Sequence, residues 1–281
     1  MALSAVIIME VTKTMVDNNY NPLVEAVPPE VPLSNSPLVR VISQVRFPII
    51  VSIEKREFIG PFQEAIRDTY PVLRVEQTRG IILGPQAIEP TQSNITWRFG
   101  DVEGKWRASL ASGFVALETT AYTNRSDFLE RFRILLEAVN THIGPKLADR
   151  LGIRYIDRVT GDQVHEIEKL VRKEILGILA TPAVDYAQHA LSETIFKVPD
   201  SKAQMLARWG RLPSDVTPDP GAIEPISGQT WILDIDMFCV EPRPFDPGKL
   251  VDETRTYAER IYAFFRWAVT DAFIRQYGGK I

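Results

Sequence analysis

The sequence predicts an α+β protein in which two tandem β-α-β(3–4)-α repeats form one curved antiparallel sheet, with long helices packed on one face. The first observation behind this prediction is a pair of matching strands. Residues 39–45 read Val-Arg-Val-Ile-Ser-Gln-Val, and residues 153–159 read Ile-Arg-Tyr-Ile-Asp-Arg-Val. When the two segments are aligned, Arg40 falls on Arg154, and each segment shows features typical of a strand.

The second observation is a ladder of apolar residues that recurs in two predicted helices, one mid-chain and one near the end. The spacing indicates two amphipathic helices with the same apolar stripe. The apolar positions are Phe128, Phe132, Leu135, Leu136, Val139 and Ile143 in the first helix, and Tyr257, Ile261, Phe264, Phe265, Ala268 and Ala272 in the second. The matching strands are 114 residues apart and the matching helices 129 residues apart. The proline-rich loop 212–230 has no counterpart of equal length in the first half, and an insertion there would explain most of this difference. Two unrelated α+β halves remain the alternative to a duplication.

The first repeat is predicted to occupy residues 38–149. Pro48 ends its first strand, and Pro71 ends its first helix because the residue before a proline disfavours helical geometry. Asn124 or Ser126 can cap the long helix that follows the strands. The predicted elements are a strand at 39–47, a helix at 57–70, strands at 72–83, 94–99, 106–111 and 114–122, and a helix at 127–143.

The second repeat is predicted to occupy residues 150–281 and to contain one strand fewer. Its clearest strand alternates Trp231, Leu233 and Ile235 with polar residues. A pair of glycines, Gly278 and Gly279, ends its last helix. The predicted elements are a strand at 153–159, a helix at 164–179, strands at 191–198, 203–212 and 231–240, and a helix at 250–277.

Residues 1–37 are predicted to be an irregular or disordered lead-in. They contain many asparagines and prolines and few periodic apolar residues, so they can bury little surface to offset the entropy of ordering. A chain that starts at Pro37 is therefore expected to fold with nearly unchanged stability.

Two resemblances add to this interpretation. The repeated order of strand, helix, antiparallel strands and long helix resembles the tandem topology of the TATA-binding-protein-like fold. The segment 150–159, Arg-Leu-Gly-Ile-Arg-Tyr-Ile-Asp-Arg-Val, resembles the signature of a sporadically distributed, functionally uncharacterised bacterial protein family. That resemblance covers residues 37–159 best. It implies a bacterial cytosolic protein and supplies no catalytic residues.

Composition narrows the class of protein. The chain of 281 residues is 45% apolar and 24% charged, which is typical of a globular protein, and its net charge of −4 disfavours strong non-specific nucleic-acid binding. The single cysteine, Cys239, excludes an internal disulfide and suits a reducing cytoplasm, and we interpret it as a buried packing residue. No apolar run reaches the length of a membrane span, and no motif for a cofactor is present. We therefore expect a cytoplasmic protein without a cofactor.

The candidate binding site is the polar face of the predicted sheet. If alternation holds, one set of charged side chains points away from the helices and could recognise a partner that favours guanidinium groups. The set is Arg40, Arg98, Arg107, Glu118, Arg154, Arg158, Lys197, Arg208, Asp234 and Asp236, with Asp157 as a further candidate beside Arg158. A solvated face with weak local ion pairs is the alternative interpretation.

The leading functional hypothesis is a non-enzymatic binding or accessory protein of a bacterial cytosolic system. It recognises a protein partner through its sheet face or loops. One alternative is a metal-dependent hydrolase or nuclease that uses Asp157, Asp234 and Asp236, because paired carboxylates can bind a cation if a third ligand reaches it. The other alternative is a nucleic-acid-binding protein that uses the basic sheet face. A homodimer is also expected, because a sheet of this kind presents edges that need covering.

Arg154 and its repeat mate Arg40 are expected to occupy matching places on the sheet face. We interpret Arg154 as a recognition residue that a partner contacts. A structural arginine held by Asp157, Asp234 or Asp236 is the alternative.

Overall fold

The computed structural model of the protein describes residues 19–78, 81–83, 88–90 and 94–281. The strands are β1 Leu38–Arg46, β2 Val72–Thr78, β3 Ile81–Leu83, β4 Ile88–Pro90, β5 Asn94–Gly100, β6 Trp106–Ala111, β7 Phe114–Thr119, β8 Leu147–Ala148, β9 Arg150–Val159, β10 Ala190–Lys197, β11 Gln204–Leu212, β12 Thr230–Cys239 and β13 Arg243–Pro244. The α-helices are α1 Arg56–Ile66, α2 Arg125–His142, α3 Ile167–Leu170, α4 Lys173–Leu176, α5 Pro247–Ala268 and α6 Asp271–Gln276.

Within these described residues, nine strands form one sheet in the order β10-β11-β12-β9-β1-β7-β6-β5-β2, and all neighbours are antiparallel. The predicted mixed α+β class with a large antiparallel sheet is therefore confirmed. The first strands of the two predicted halves, β1 and β9, lie side by side at the centre. Outside β1 lie β7, β6, β5 and β2, and outside β9 lie β12, β11 and β10, so each half contributes one side of the sheet.

The main hydrophobic core lies between the sheet and the long helices. Helix α5 packs on β9 and β12, α2 packs on β7, and the two helices also contact each other. Because side chains alternate along a strand, one set from each central strand enters this core, including Val41, Ile153 and Leu233. We call this side of the sheet the helix face and the other side the arginine face.

The two long helices begin at side-chain caps. The Asn124 side chain accepts a hydrogen bond from the backbone N–H of Asp127 at 2.9 Å, which confirms one of the two predicted caps of α2. The Asp246 carboxylate accepts from the backbone N–H of Lys249 at the start of α5. Each cap satisfies a donor that the first helical turn would otherwise leave unpaired.

The three largest departures from the predicted elements lie at 164–179, 250–277 and 72–83. The helix at 164–179 is wrong: this region holds only α3 and α4 among short 3-10 turns, because Val171 leaves the helix to form a β-bridge with Val269 and Gly177 adopts a positive φ of 54°. The same bridge interrupts the helix predicted at 250–277, which is two helices, and Thr270 caps the second. The strand predicted at 72–83 ends at Thr78.

The described part of the lead-in lacks regular secondary structure, but it packs on the helices. The backbone N–H of Val31 donates to the Tyr262 hydroxyl at 2.8 Å, and Arg260 donates to the carbonyl oxygens of Pro22 and Glu25 at 2.9 and 2.8 Å. Leu23, Val31 and Leu33 are among the partly buried residues against the main core. The expectation that the lead-in adds little stability rested on an absence of packing, and that premise is wrong for residues 19–37.

The proline-rich segment crosses the arginine face. Ala222 and Ile223 are buried against Ile156, Leu212 and Ile232 in a second, smaller hydrophobic cluster. The cluster exists because these apolar side chains point away from the helices and need another cover. We call residues 213–229, which provide this cover, the covering loop.

No helix in the described part of the chain is long and apolar enough to cross a membrane.

Candidate functional site

The strand register tests the predicted polar face directly, because residues paired across antiparallel strands point to the same side. Ile42 lies opposite Glu118 and Arg154, and Ile156 lies opposite Arg40 and Asp234. Following the register outward, the residues placed together on the arginine face are Arg40, Arg98, Arg107, Glu118, Arg154, Arg158, Lys197, Arg208, Asp234 and Asp236. The sequence pattern therefore placed these ten side chains on the correct face.

Asp157 is the exception. It precedes Arg158 directly in β9, so the pleat turns its side chain to the helix face, where it lies opposite Leu38 and Leu233. The metal site that the hydrolase or nuclease alternative requires, Asp157 with Asp234 and Asp236, is consequently not assembled. Among the described residues, no group of three or more histidine, cysteine, aspartate or glutamate side chains could hold a metal ion. Cys239 is buried with a free thiol, as predicted.

At the centre of the arginine face, each of two carboxylates lies between two arginines. Asp234 is only 1% exposed; its two oxygens accept from Arg154 Nε at 2.7 Å and Nη2 at 2.8 Å, and Arg208 also donates to it at 2.8 Å. Glu118 has the same relation to Arg107, which forms an ion pair with it, and to Arg40, at 4.0 Å. We call these the Asp234 triad and the Glu118 triad.

The covering loop adds two more acidic contacts. Asp219 Oδ2 accepts from Arg154 Nη1 at 2.7 Å, and Glu224 accepts from Arg40 Nη2 at 3.4 Å. Burial acts to raise the pKa of Asp219, but the hydrogen bond and charge of Arg154 prevail and lower it. Arg158 donates to the backbone oxygen of Glu224 at 2.7 Å.

These contacts correct the interpretation of Arg154. All three nitrogens of its guanidinium group donate to carboxylates of this same chain, so the side chain is already held within the fold. The structural alternative is the one that the geometry supports. The sequence did not reveal Asp219 or Glu224, because a loop without periodicity does not indicate which surface it will cover.

The part of the arginine face contributed by the first half is more accessible. Arg46 and Arg74 are exposed, and the Arg107 side chain is 37% exposed. Arg98 contacts Glu76 at 2.9 Å and the Ser109 hydroxyl at 2.8 Å. Between these arginines the sheet presents small residues, namely Gly100, Ser109, Ala111 and Ala116. We call Arg46, Arg74, Arg98 and Arg107 the arginine strip.

The helix face contains a cavity of about 220 Å³ at which Asp157 lies. Asp157 is 6% exposed, and burial, followed by the charge of Asp234, raises the pKa of its carboxyl group to about 7. The hydroxyl groups of Tyr122 and Tyr155 line the same cavity and lie 3.4 Å apart. Neither tyrosine was among the predicted site residues. The alternation of β9 places Tyr155 on the same side as Asp157, and it is the signal that could have found Tyr155.

No protein-family model matches the chain, and no curated protein matches its sequence. The resemblance of residues 150–159 to a bacterial family signature therefore stays a prediction.

Proposed function

We propose that this is a non-enzymatic binding protein that recognises an acidic segment of a protein partner through its arginine strip. The observation that carries the proposal is the contrast between the two halves of the arginine face. The covering loop and two internal carboxylates occupy the centre, whereas Arg46 and Arg74 pair with no carboxylate among the described residues. The small residues between the arginines leave room for an extended segment to approach the sheet, and guanidinium groups bind carboxylates with two parallel hydrogen bonds.

The test is a charge reversal with a matched control. Arg46→Glu combined with Arg74→Glu changes the two strip arginines that pair with no carboxylate among the described residues, and Arg255→Glu, at an exposed position of α5, makes the same kind of change on the helix side. We expect that a partner recovered from the native host with the wild type is lost with the strip variant and retained with the control. Recovery of the same partner by all three proteins would contradict the proposal.

The same experiment separates a protein partner from nucleic acid. Phosphates also bind arginines, so the strip suits a nucleic-acid backbone in its chemistry, although the net charge of −4 opposes it. Recovery that survives nuclease treatment supports an acidic protein segment. Recovery that is abolished by nuclease and falls steeply with salt supports the nucleic-acid alternative.

We further propose that the two halves are a tandem duplication around one curved sheet, as in the TATA-binding-protein-like topology. The strand order around β1 and β9 and the two triads support this, because the triads fall at corresponding places in the register. Superposition of residues 38–142 on residues 150–268 tests it. We expect Arg40 to fall on Arg154 and Glu118 on Asp234, and a best superposition in any other register would contradict the duplication.

A cytoplasmic homodimer stays part of the proposal. Strand β10 is an edge of the sheet, and Ile195 on this strand is 60% exposed. An edge strand with an exposed apolar side chain is unfavourable in a monomer, because it can pair with another chain. Light scattering of the wild type and of Ile195→Lys tests the dimer. We expect the mass of two chains for the wild type and of one chain for the variant, and a wild-type monomer at high concentration would contradict it. A fluorescent fusion in the native host tests the location.

A further inference from the structure

The cavity on the helix face is built from four parts of the fold. Its floor is the sheet, its roof is α5, and the remaining walls are the N-terminal end of α2 and the lead-in. The lining includes Glu30 of the lead-in, Tyr155 and Asp157 of the sheet, Tyr122 and Arg125 at α2, and Tyr262 of α5. Most of this lining is apolar or aromatic. Its volume of about 220 Å³ is below the roughly 300–1,000 Å³ of pockets for drug-sized ligands, so the space suits a compact molecule.

Asp157 is the polar group that lacks a partner in this lining. It is nine-tenths buried, it borders the cavity, and it accepts no hydrogen bond from any residue that the structure describes. Its cross-strand neighbours, Leu38 and Leu233, offer no side-chain donor. Native proteins pair nearly all buried carboxyl groups, because an unpaired one costs free energy. The carboxyl group is therefore the anchor that a ligand would use.

The other charges around the cavity leave this anchor uncompensated. Arg125 also lines the cavity, but it forms an ion pair with Glu30 and contacts Glu259 at 3.4 Å. Two carboxylates thus already face one guanidinium group. The balance of charge at the cavity is negative, which favours a cationic ligand over a neutral or anionic one.

The aromatic lining favours the same class of ligand. Tyr122 and Tyr155 pack edge to face with ring centroids 5.5 Å apart, and Tyr262 and Phe265 lie in the roof. Aromatic faces attract cations and accommodate flat apolar groups. We propose that the cavity binds a small organic amine, with its ammonium group on Asp157 and its compact apolar or aromatic body against α5.

Isothermal titration calorimetry with 2-phenylethylamine tests this proposal, with 2-phenylethanol as the uncharged probe of similar shape. We expect saturable binding of the amine with a Kd below about 1 mM, and binding of the alcohol at least about tenfold weaker. Equal affinity for both probes, or no saturation by the amine, would overturn the proposal.

Two variants locate the binding. Asp157→Asn keeps the shape of the side chain and removes its charge, and we expect it to weaken amine binding by at least about 30-fold, the loss typical of breaking a buried charge pair. The matched control, Asp252→Asn, makes the same change at an exposed position of α5 and should leave the affinity unchanged. Ala258→Leu fills the cavity without changing charge and should also abolish binding. Amine binding that survives both cavity variants would place the ligand elsewhere and overturn the assignment.

This inference does not depend on the arginine strip. The strip and the cavity lie on opposite faces of the sheet, and the probes above require no protein partner. A failure of either proposal therefore leaves the other untouched.

Discussion

Replacing Arg154 by alanine, beside the same change at Arg40, measures how much each arginine of the central strands contributes to stability. The register places the two arginines at corresponding positions, and their side chains are similarly buried. Their partners differ. Arg154 makes contacts of 2.7 to 2.8 Å with Asp234 and Asp219, whereas the shortest contact of Arg40 to a carboxylate is 3.4 Å.

The loss of stability caused by each change depends on the burial of the carboxylate that loses its arginine. Asp234 is 1% exposed and Glu118 is 15% exposed, so losing one arginine is more costly for Asp234. Breaking a buried pair costs about 3–5 kcal/mol, and we expect a loss near the lower limit because Arg208 still contacts Asp234. Arg40→Ala should cost about 1 kcal/mol, because its contacts are long and Arg107 still holds Glu118.

Chemical denaturation and thermal melting of the two variants provide the measurement. A loss of about 3 kcal/mol corresponds to a fall in Tm of roughly 5 °C in a chain of this size. If the free energy of unfolding of Arg154→Ala lies within about 1 kcal/mol of the wild-type value, the contacts of Arg154 with Asp234 and Asp219 do not stabilise the fold. That result would refute the structural role and restore Arg154 as a candidate recognition residue.

Three further predictions concern Asp157, the lead-in and the covering loop. Folding raises the pKa of Asp157 from 3.8 to about 7, so the stability of the wild type should fall as pH rises through this range and should then stay constant. Denaturation at several pH values should show Asp157→Asn gaining up to about 4 kcal/mol relative to the wild type at pH 8. A constant difference in stability between pH 4 and 8 would contradict this prediction. A chain that starts at Pro37 should lose more than about 2 kcal/mol, because it lacks the contacts to Arg260 and Tyr262; an unchanged denaturation midpoint would show that the lead-in contributes nothing. Asp219→Asn should cost about 1 kcal/mol in the same assay, because its side chain is partly exposed, and a cost above about 3 kcal/mol would mean that the loop is held mainly through this contact.

The sheet was predictable because its determinants are local. Alternation in β9 and β12, with glycines and prolines between strands, fixes which residues are extended and which side chains share a face. The same alternation already separated Asp157 from Asp234 and Asp236, since Asp157 and Arg158 are consecutive in one strand. The alternative hypothesis of a metal-dependent enzyme grouped the three carboxylates by chemistry and ignored this geometric rule.

The elements that the sequence did not predict depend on distant contacts. The region 164–179 has the composition of a helix, but the bridge from Val171 to Val269 requires an extended residue in its middle. The covering loop reaches the arginine face because Ile156 and Ile232 need an apolar cover, which Ile223 provides. Neither requirement is visible within a short window, because each joins residues that are far apart in the chain.

The two faces of the sheet are linked electrostatically at its centre. Asp234 lies directly opposite Ile156, the residue before Asp157, so the two carboxylates point to opposite faces from neighbouring positions, and the charge of Asp234 contributes to the raised pKa of Asp157. Arg154 and Arg208 offset that charge from the arginine face. The Asp234 triad is therefore more than a local ion pair, because the charge of its carboxylate also acts on Asp157 from the opposite face of the sheet.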